Sequence, residues 1–155
     1  MNAMKLGTVA ALMKTRLTTA TPYETVVTAA TRMVDANLGA LLVVDNDRLV
    51  GILSERDILQ RVVARRRDPE TTTVGSVLTP NPTAVTADTP VAECIQIIRT
   101  RGFRHLPVIN ARRNPIGVLY SRDLLQHVLT LIEDSHHQEG DLTDILGPKK
   151  NKDKP

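Results

Sequence analysis

A chain of 155 residues, 41% hydrophobic and 24% charged, has the size and composition of one soluble globular domain or two small fused ones, and 2% aromatics (Tyr23, Tyr120, Phe103) leave the core to aliphatic side chains. No apolar run reaches the roughly 18 residues of a membrane span, no secretory leader pattern opens the chain, and the lone Cys94 excludes an internal disulfide, so the sequence is read as cytoplasmic. The net charge of +3 is terminal: four of the 20 basic residues (Lys149, Lys150, Lys152, Lys154) and one of the 17 acids (Asp153) fall in the last seven positions, so 16 of each precede them and no basic groove for nucleic acid is expected.

Along the chain, Thr8 to Lys14 reads as a short opening helix and Arg16 to Pro22 as a short strand. Val26, Ala29, Ala30 and Met33 recur at helical spacing and predict a helix with one buried stripe. Ala40 to Val44 and Leu49 to Leu53 are strand-length aliphatic runs separated by a polar turn. A second helix follows, with Ile58, Leu59, Val62 and Val63 on the side expected to face inward, and Arg65-Arg66-Arg67 as its solvated basic end. A polar linker at 67–72 leads to the same series again. It comprises a helix at Thr73 to Thr79, a strand within Asn81 to Ala87, a helix bearing Val91, Cys94, Ile95 and Ile98 that Gly102 ends, strands at Leu106 to Ile109 and Ile116 to Leu119, and a helix with Leu124, Leu125, Val128, Leu129 and Ile132 inward. Cys94 lies on a buried stripe and is expected in the core, and His136-His137 at a solvated helix end. Residues 136–155 read as a flexible, lysine-rich tail in which Leu142, Ile145 and Leu146 can dock as a short turn.

The two series are a duplication. Thr8-Val9 recurs as Thr73-Val74, Val26 as Val91 and Val43-Val44 as Val108-Ile109 at an offset of 65; after one extra residue in the turn at Arg112 to Asn114, Gly51-Ile-Leu-Ser-Glu-Arg-Asp57 returns as Gly117-Val-Leu-Tyr-Ser-Arg-Asp123 at an offset of 66. The repeats span 6–66 and 73–135.

That doubled pattern, with Gly39-Ala-Leu-Leu-Val-Val-Asp45 and Arg104-His-Leu-Pro-Val-Ile-Asn110, resembles a tandem pair of cystathionine beta-synthase (CBS) domains, a Bateman module, over residues 6 to 135. The resemblance implies an α/β (α+β) fold of two βαββα repeats packed sheet to sheet about a pseudo-twofold axis, adenosine-containing ligands in clefts between the repeats, and a flat homodimer. The ligand set it implies is Thr18, Gly39, Ala40, Leu41, Ser54, Arg56 and Asp57 from the first copy, with Thr83, Arg104, His105, Pro107, Tyr120, Arg122 and Asp123 from the second.

The residue types suit such a ligand. A carboxylate at a helix start (Asp57 or Asp123) can accept both vicinal hydroxyls of a ribose, Ser54 adds a donor, and Arg56 or Arg122 with the free amides of the helix end favours phosphate. Gly39 and Ala40 let main chain approach an adenine ring. Ser54 and Asp57 equally fit a capping box. In the second copy Tyr120 replaces the hydroxyl residue, so that cleft is narrowed, closed or adapted to stack a base, while His105 is either packed or facing phosphate. The first cleft is expected to be the stronger site, with Asp57→Ala costing more ligand response than Asp123→Ala.

The reading is a non-catalytic regulatory module that senses an adenosine compound (AMP, ADP, ATP, NAD or S-adenosylmethionine) and acts in trans on a partner. Its alternative is a structural dimerisation protein with vestigial clefts. No phosphate-binding Gly-x-x-x-x-Gly-Lys loop, nucleophile elbow or metal-binding helix pair supports an enzyme.

Overall fold

The computed structural model describes residues 5–139. Its elements are β1 (Thr19–Ala20), α1 (Val26–Asp35), β2 (Ala40–Asp45), β3 (Arg48–Ser54), α2 (Glu55–Ile58), β4 (Thr79–Pro80), α3 (Val91–Arg101), β5 (His105–Ile109), β6 (Pro115–Tyr120) and α4 (Ser121–Glu139). Helix α2 continues into a π turn at Leu59–Val63, and single 3-10 turns at Val9–Ala11 and Val74–Ser76 stand where the opening helices were expected. Helix α4 runs four residues past 135, and the docking turn and lysine tail expected beyond it lie outside the described residues. No described helix is long and apolar enough to cross a membrane.

Strand alternation divides the side chains of each sheet. In β2 and β3, Leu41, Val43 and Leu53 enter the first core beneath α1, with Val26, Ala29 and Met33; in β5 and β6, Leu106, Val108 and Leu119 enter the second with Cys94. The opposite face carries Ala40, Leu42 and Ile52 in one sheet and His105, Val118 and Tyr120 in the other, and these residues line one shared crevice, so the sheets meet face to face.

The two copies of the sequence are not the two packing units. β4, from the second copy, pairs antiparallel with β3 of the first, as Gly51 with Pro80 and Ile52 with Thr79. At the equivalent place Lys14, from the first copy, bridges Val118 of β6 through two backbone hydrogen bonds of 2.8 and 2.9 Å. The 3-10 turns follow: Val74 and Val77 lie in the first core, Val9 in the second. The first sheet has order β1-β2-β3-β4. In the second, the outer strands shrink to single bridges, Val85 parallel to Val108 and Lys14 antiparallel to Val118.

The glycines of the repeated motif permit this exchange. A Cβ at Gly51 would stand 2.7 Å from Leu78 Cδ1 and 2.9 Å from the Thr79 carbonyl oxygen; one at Gly117 would stand 2.9 Å from Met13 Sδ and 3.1 Å from the Lys14 carbonyl oxygen. Neither glycine has a positive φ, so close approach, not backbone freedom, accounts for both.

The linker expected at 67–72 is also structural. Thr72 and Pro69 carbonyls accept from Val26 and Val27 amides at 2.9 and 3.0 Å, satisfying first-turn donors of α1, and the Gly7 carbonyl does the same for Val91 at 3.0 Å. The Thr72 hydroxyl is buried against the Asp68 carbonyl at 2.6 Å. Gly102, at φ 69°, ends α3 in the left-handed region as its sequence position suggests.

One expectation fails in part. The last helix of each copy was to bury its whole apolar stripe, yet only Val62 and Leu124 are buried, while Leu59, Val63, Leu125, Leu129 and Ile132 remain 37–61% exposed. These helices cover their sheets with one narrow edge, Ile58 and Val128 are half-buried beside it, and the other five aliphatic groups turn outward.

Backbone is a harder obstacle than a flexible thioether. Gly51→Ala is therefore expected to destabilise the fold by about 2 kcal/mol, and Gly117→Ala by about half as much. Urea unfolding of the two variants beside the parent measures the difference.

Candidate functional site

The crevice between the sheets is lined by Leu17, Thr18, Ala40, Leu42, Ile52, His105, Val118 and Tyr120. Its free volume is about 10 Å³, room for one water molecule and no more. Tyr120 is one of its bulkiest walls. Its ring meets His105 edge-on, with centroids 5.4 Å apart and planes at 77°, and the Arg122 guanidinium stands 5.3 Å from its centroid.

Helices α2 and α4 each carry an aspartate in the first turn, Asp57 and Asp123. The main chain is arranged alike at both: the Glu55 amide donates to the Gly39 carbonyl at 2.9 Å, and the Ser121 amide to the Arg104 carbonyl at 3.0 Å. The acids differ. Asp57 Oδ2 accepts from the Ser54 amide and hydroxyl, both at 2.9 Å, and the Ser54 Oγ accepts in turn from the Asp57 amide at 3.1 Å, completing a capping box. Asp57 Oδ1 accepts from the Thr79 hydroxyl at 3.1 Å and lies 3.4 Å from Arg61 Nη1. Its side chain is 9% exposed.

Asp123 has none of these partners. Tyr120 stands where Ser54 supplies a hydroxyl, Lys14 where Thr79 stands, and His127 where Arg61 stands. His127 turns instead to the Leu6 carbonyl, with Nε2 at 3.0 Å. Lys14 Nζ is 4.0 Å from Asp123 Oδ2, and Arg122 Nε is 4.0 Å from Oδ1. The side chain is 27% exposed overall, yet Oδ2 itself is enclosed and has no hydrogen-bond partner among the described residues. An enclosed acceptor without a donor is an unfavourable arrangement that a ligand's hydroxyl would relieve.

Of the residues implied by resemblance, Thr18, Ala40, His105 and Tyr120 meet in the crevice, and Arg122 links the Tyr120 ring to Asp123, whereas Gly39 lines a separate depression with Met33, Leu38 and Ile58 and Arg104 is exposed. The Leu41 side chain points into the first core, away from the seam. Pro107 is buried opposite Val118 within its sheet. Thr83 and Arg56 are exposed, and no contact brings either to the crevice. Sequence reasoning missed Lys14, Thr79 and Arg61. Positions 14 and 79 stand at the same offset of 65 as the rest of the repeat, so the signal was present, but only the exchange of strands shows that each faces the other copy's acid.

Burial, then the Arg104 and Arg122 charges, hold the His105 imidazole below its ordinary value of 6.5, with Glu55 opposing. Burial raises the Tyr120 phenol, Arg122 opposing and Asp123 adding to the rise. Cys94 is fully buried in the second core and its thiol is raised, first by burial, so it is an inert packing residue as expected.

The CBS domain family model matches residues 9–64 and 74–130. An uncharacterized 17.7 kDa protein of Acidianus ambivalens is 36% identical over 122 residues, which is 78% of this chain and 73% of that one. The CBS domain-containing protein CBSCBSPB5 of Arabidopsis thaliana is 38% identical over 96 residues, 62% of this chain, and the chain spans only 18% of that longer relative. Among solved structures, CBSX2 of Arabidopsis thaliana in complex with AMP superposes with a TM-score of 0.71 at 25% identity, over 80% of this chain and 97% of that one.

Because the folded state disfavours protonated His105, the unfolded chain takes up that proton first as the pH falls. The ring's contribution to stability is intact above about pH 6.5 and is lost as the pH descends through the lower folded value. The fall in melting temperature between about pH 7 and pH 5.5 is expected to be shallower in His105→Gln than in the parent, read by thermal denaturation across that range.

Proposed function

The chain belongs to the CBS domain family, and from that premise we propose that it is a non-catalytic regulatory module which binds an adenosine-containing small molecule in the seam between its two repeats. The observation that carries this reading is the enclosed, donor-free Oδ2 of Asp123 at the first turn of α4, beside a crevice walled by Ala40, His105 and Tyr120. The AMP complex of CBSX2 supports the same class of ligand.

The chemistry follows from the residues. Vicinal ribose hydroxyls donate to the carboxylate of Asp123, a pair of charge-assisted hydrogen bonds that neither a lone alcohol nor a deoxy sugar can supply. The base enters the crevice against Ala40, where the absence of a large side chain leaves room beside main chain, and displaces Tyr120 from His105. A cavity of about 10 Å³ does not hold an adenine, so binding requires the ring of Tyr120 to swing out or the two sheets to part. Either movement makes ligand affinity differ between two arrangements of the molecule, which is the condition for a signal. The signal passes in trans to a protein partner.

The exposed aliphatic groups of the terminal helices favour a homodimer. Leu59 and Val63 on the π turn after α2 and Leu125 and Leu129 on α4 occupy equivalent places in the two halves, and Ile132 extends the second stripe by a turn. The same stripe is the observation behind a second reading, in which the protein serves assembly alone and Tyr120 has closed the crevice for good.

Thermal denaturation with AMP, ADP, ATP, NAD and S-adenosylmethionine separates the two. A true ligand present at about a hundredfold its Kd adds about 2.7 kcal/mol, a rise of several degrees for a chain of this size. No rise with any of the five supports the purely structural reading. Leu125→Glu with Leu129→Glu is expected to convert the dimer to monomer in sedimentation equilibrium while leaving the circular dichroism spectrum unchanged; a parent that is already monomeric ends the dimer proposal.

A further inference from the structure

The duplication provides an internal control: one acid, at equivalent places, in two sets of surroundings. In the first half every hydrogen-bonding partner of Asp57 is supplied from within the protein, and the carboxylate joins the capping box of α2 to the edge strand β4 through Thr79. In the second half three equivalent substitutions, Ser54 to Tyr120, Thr79 to Lys14 and Arg61 to His127, each remove a partner from Asp123. One of the three replaces a hydroxyl with a cation.

We infer that the cleft at Asp123 is the single ligand site of each chain, that it takes an adenosine compound bearing phosphate in preference to a sulfonium or an uncharged nucleoside, and that Lys14 is the specificity-determining residue. This rests on the adenosine-binding reading above and deepens it.

Asp123 is a single carboxylate with two cations at 4.0 Å, Lys14 and Arg122. Once ribose hydroxyls occupy that carboxylate, the cations are left in excess, and an anionic group attached to the ribose restores the balance. The geometry allows it. Lys14 Nζ, at 4.0 Å, is outside hydrogen-bond range of the acid, and its side chain is 59% exposed, so the ammonium group is free to turn to a phosphate without breaking an existing bond. Arg122, 73% exposed, rests on the Tyr120 ring and is released when that ring moves. A sulfonium cation in place of the phosphate would add a third positive charge beside Lys14 and Arg122, against the one carboxylate.

The cleft at Asp57 keeps Arg56 in the place of Arg122 but has Thr79 where Lys14 stands. Its nearest cation, Arg61, already donates to the carbonyls of Val77 and Leu78 at 2.8 Å each, and is held there beside the acid. A ribose arriving at Asp57 would displace the Thr79 hydroxyl and part of the helix cap, exchanging existing bonds for similar ones with little gain. The expected order of the two clefts is thereby reversed.

Isothermal titration of the full chain with AMP, ATP, adenosine and S-adenosylmethionine tests each element. One equivalent per chain is expected, with AMP and ATP binding at least about tenfold more tightly than adenosine or S-adenosylmethionine. Lys14→Met should weaken AMP by about tenfold and leave adenosine unaffected, and Asp123→Asn should weaken all four by about 10- to 100-fold. Asp57→Asn should lower the melting temperature while the titration still shows one site. If that variant does not fold, Thr79→Val, which removes one hydroxyl from the same carboxylate, gives the same readout. Two equivalents per chain, S-adenosylmethionine equal to AMP, or AMP affinity indifferent to Lys14 would overturn the inference and leave the adenosine reading standing. Binding by none of the four would remove both.

Discussion

Without a side chain at Gly51 and Gly117, the opening segments of the two copies can lie against each other's sheets, with carbonyl oxygens where a Cβ would otherwise be. That contact decides the architecture. Leu78 and Thr79 close on β3, Met13 and Lys14 close on β6, and the 3-10 turns just before them deliver Val74 and Val9 to cores built mostly by the opposite copy. Each core therefore contains side chains from both ends of the duplication, and neither is complete without the other. The sheets face one another across a seam because the segments that edge them are already crossed.

The same crossing is what allows the two acids to diverge. Whatever residue ends an opening segment is brought to the other copy's acid, so a single change at position 14 or 79 alters the remote cleft and not its own. A threonine there donates a hydrogen bond to the acid; a lysine stands 4.0 Å from it as a loose ion pair. Asp57 is satisfied four ways within the protein, and Asp123 keeps an enclosed oxygen with no hydrogen-bond donor among the described residues. A duplicated scaffold can in this way devote one copy of a motif to holding the fold and the other to chemistry.

Much of this was legible in the sequence, and the parts that were not share a cause. The aliphatic runs at Ala40 to Val44 and Leu106 to Ile109, the helix stripe of Val26, Ala29 and Met33, and the stop at Gly102 all appear where their local patterns place them, since burial on one face and backbone handedness are properties of neighbouring residues. The Ser54-Asp57 capping box was legible for the same reason, as one of two readings of those residues. The exchange of edge strands was not, because periodicity says that a segment forms a strand but not which sheet it joins. The outward stripe on the π turn after α2 and on α4 was not legible, because apolar positions at helical spacing look alike whether they meet a core or remain exposed. At the site, the sequence marks Tyr120 as a residue that narrows, closes or adapts its cleft, while Lys14 stays hidden, being about a hundred residues from the acid it stands beside.

The crossed segments also bear on ancestry. A single copy on its own would carry an arm made for a neighbour and would lack the arm that completes its own sheet. Two such single-copy chains could satisfy one another by trading arms, giving a symmetric pair with the same crossed connections. Fusing them through a short peptide such as Asp68 to Thr72, whose carbonyls already serve the first turn of α1, would preserve every contact while ending the requirement that both halves be identical. The tandem chain is in this sense an arm-swapped dimer made covalent, and the freedom gained at fusion is the freedom that let its two acids part ways.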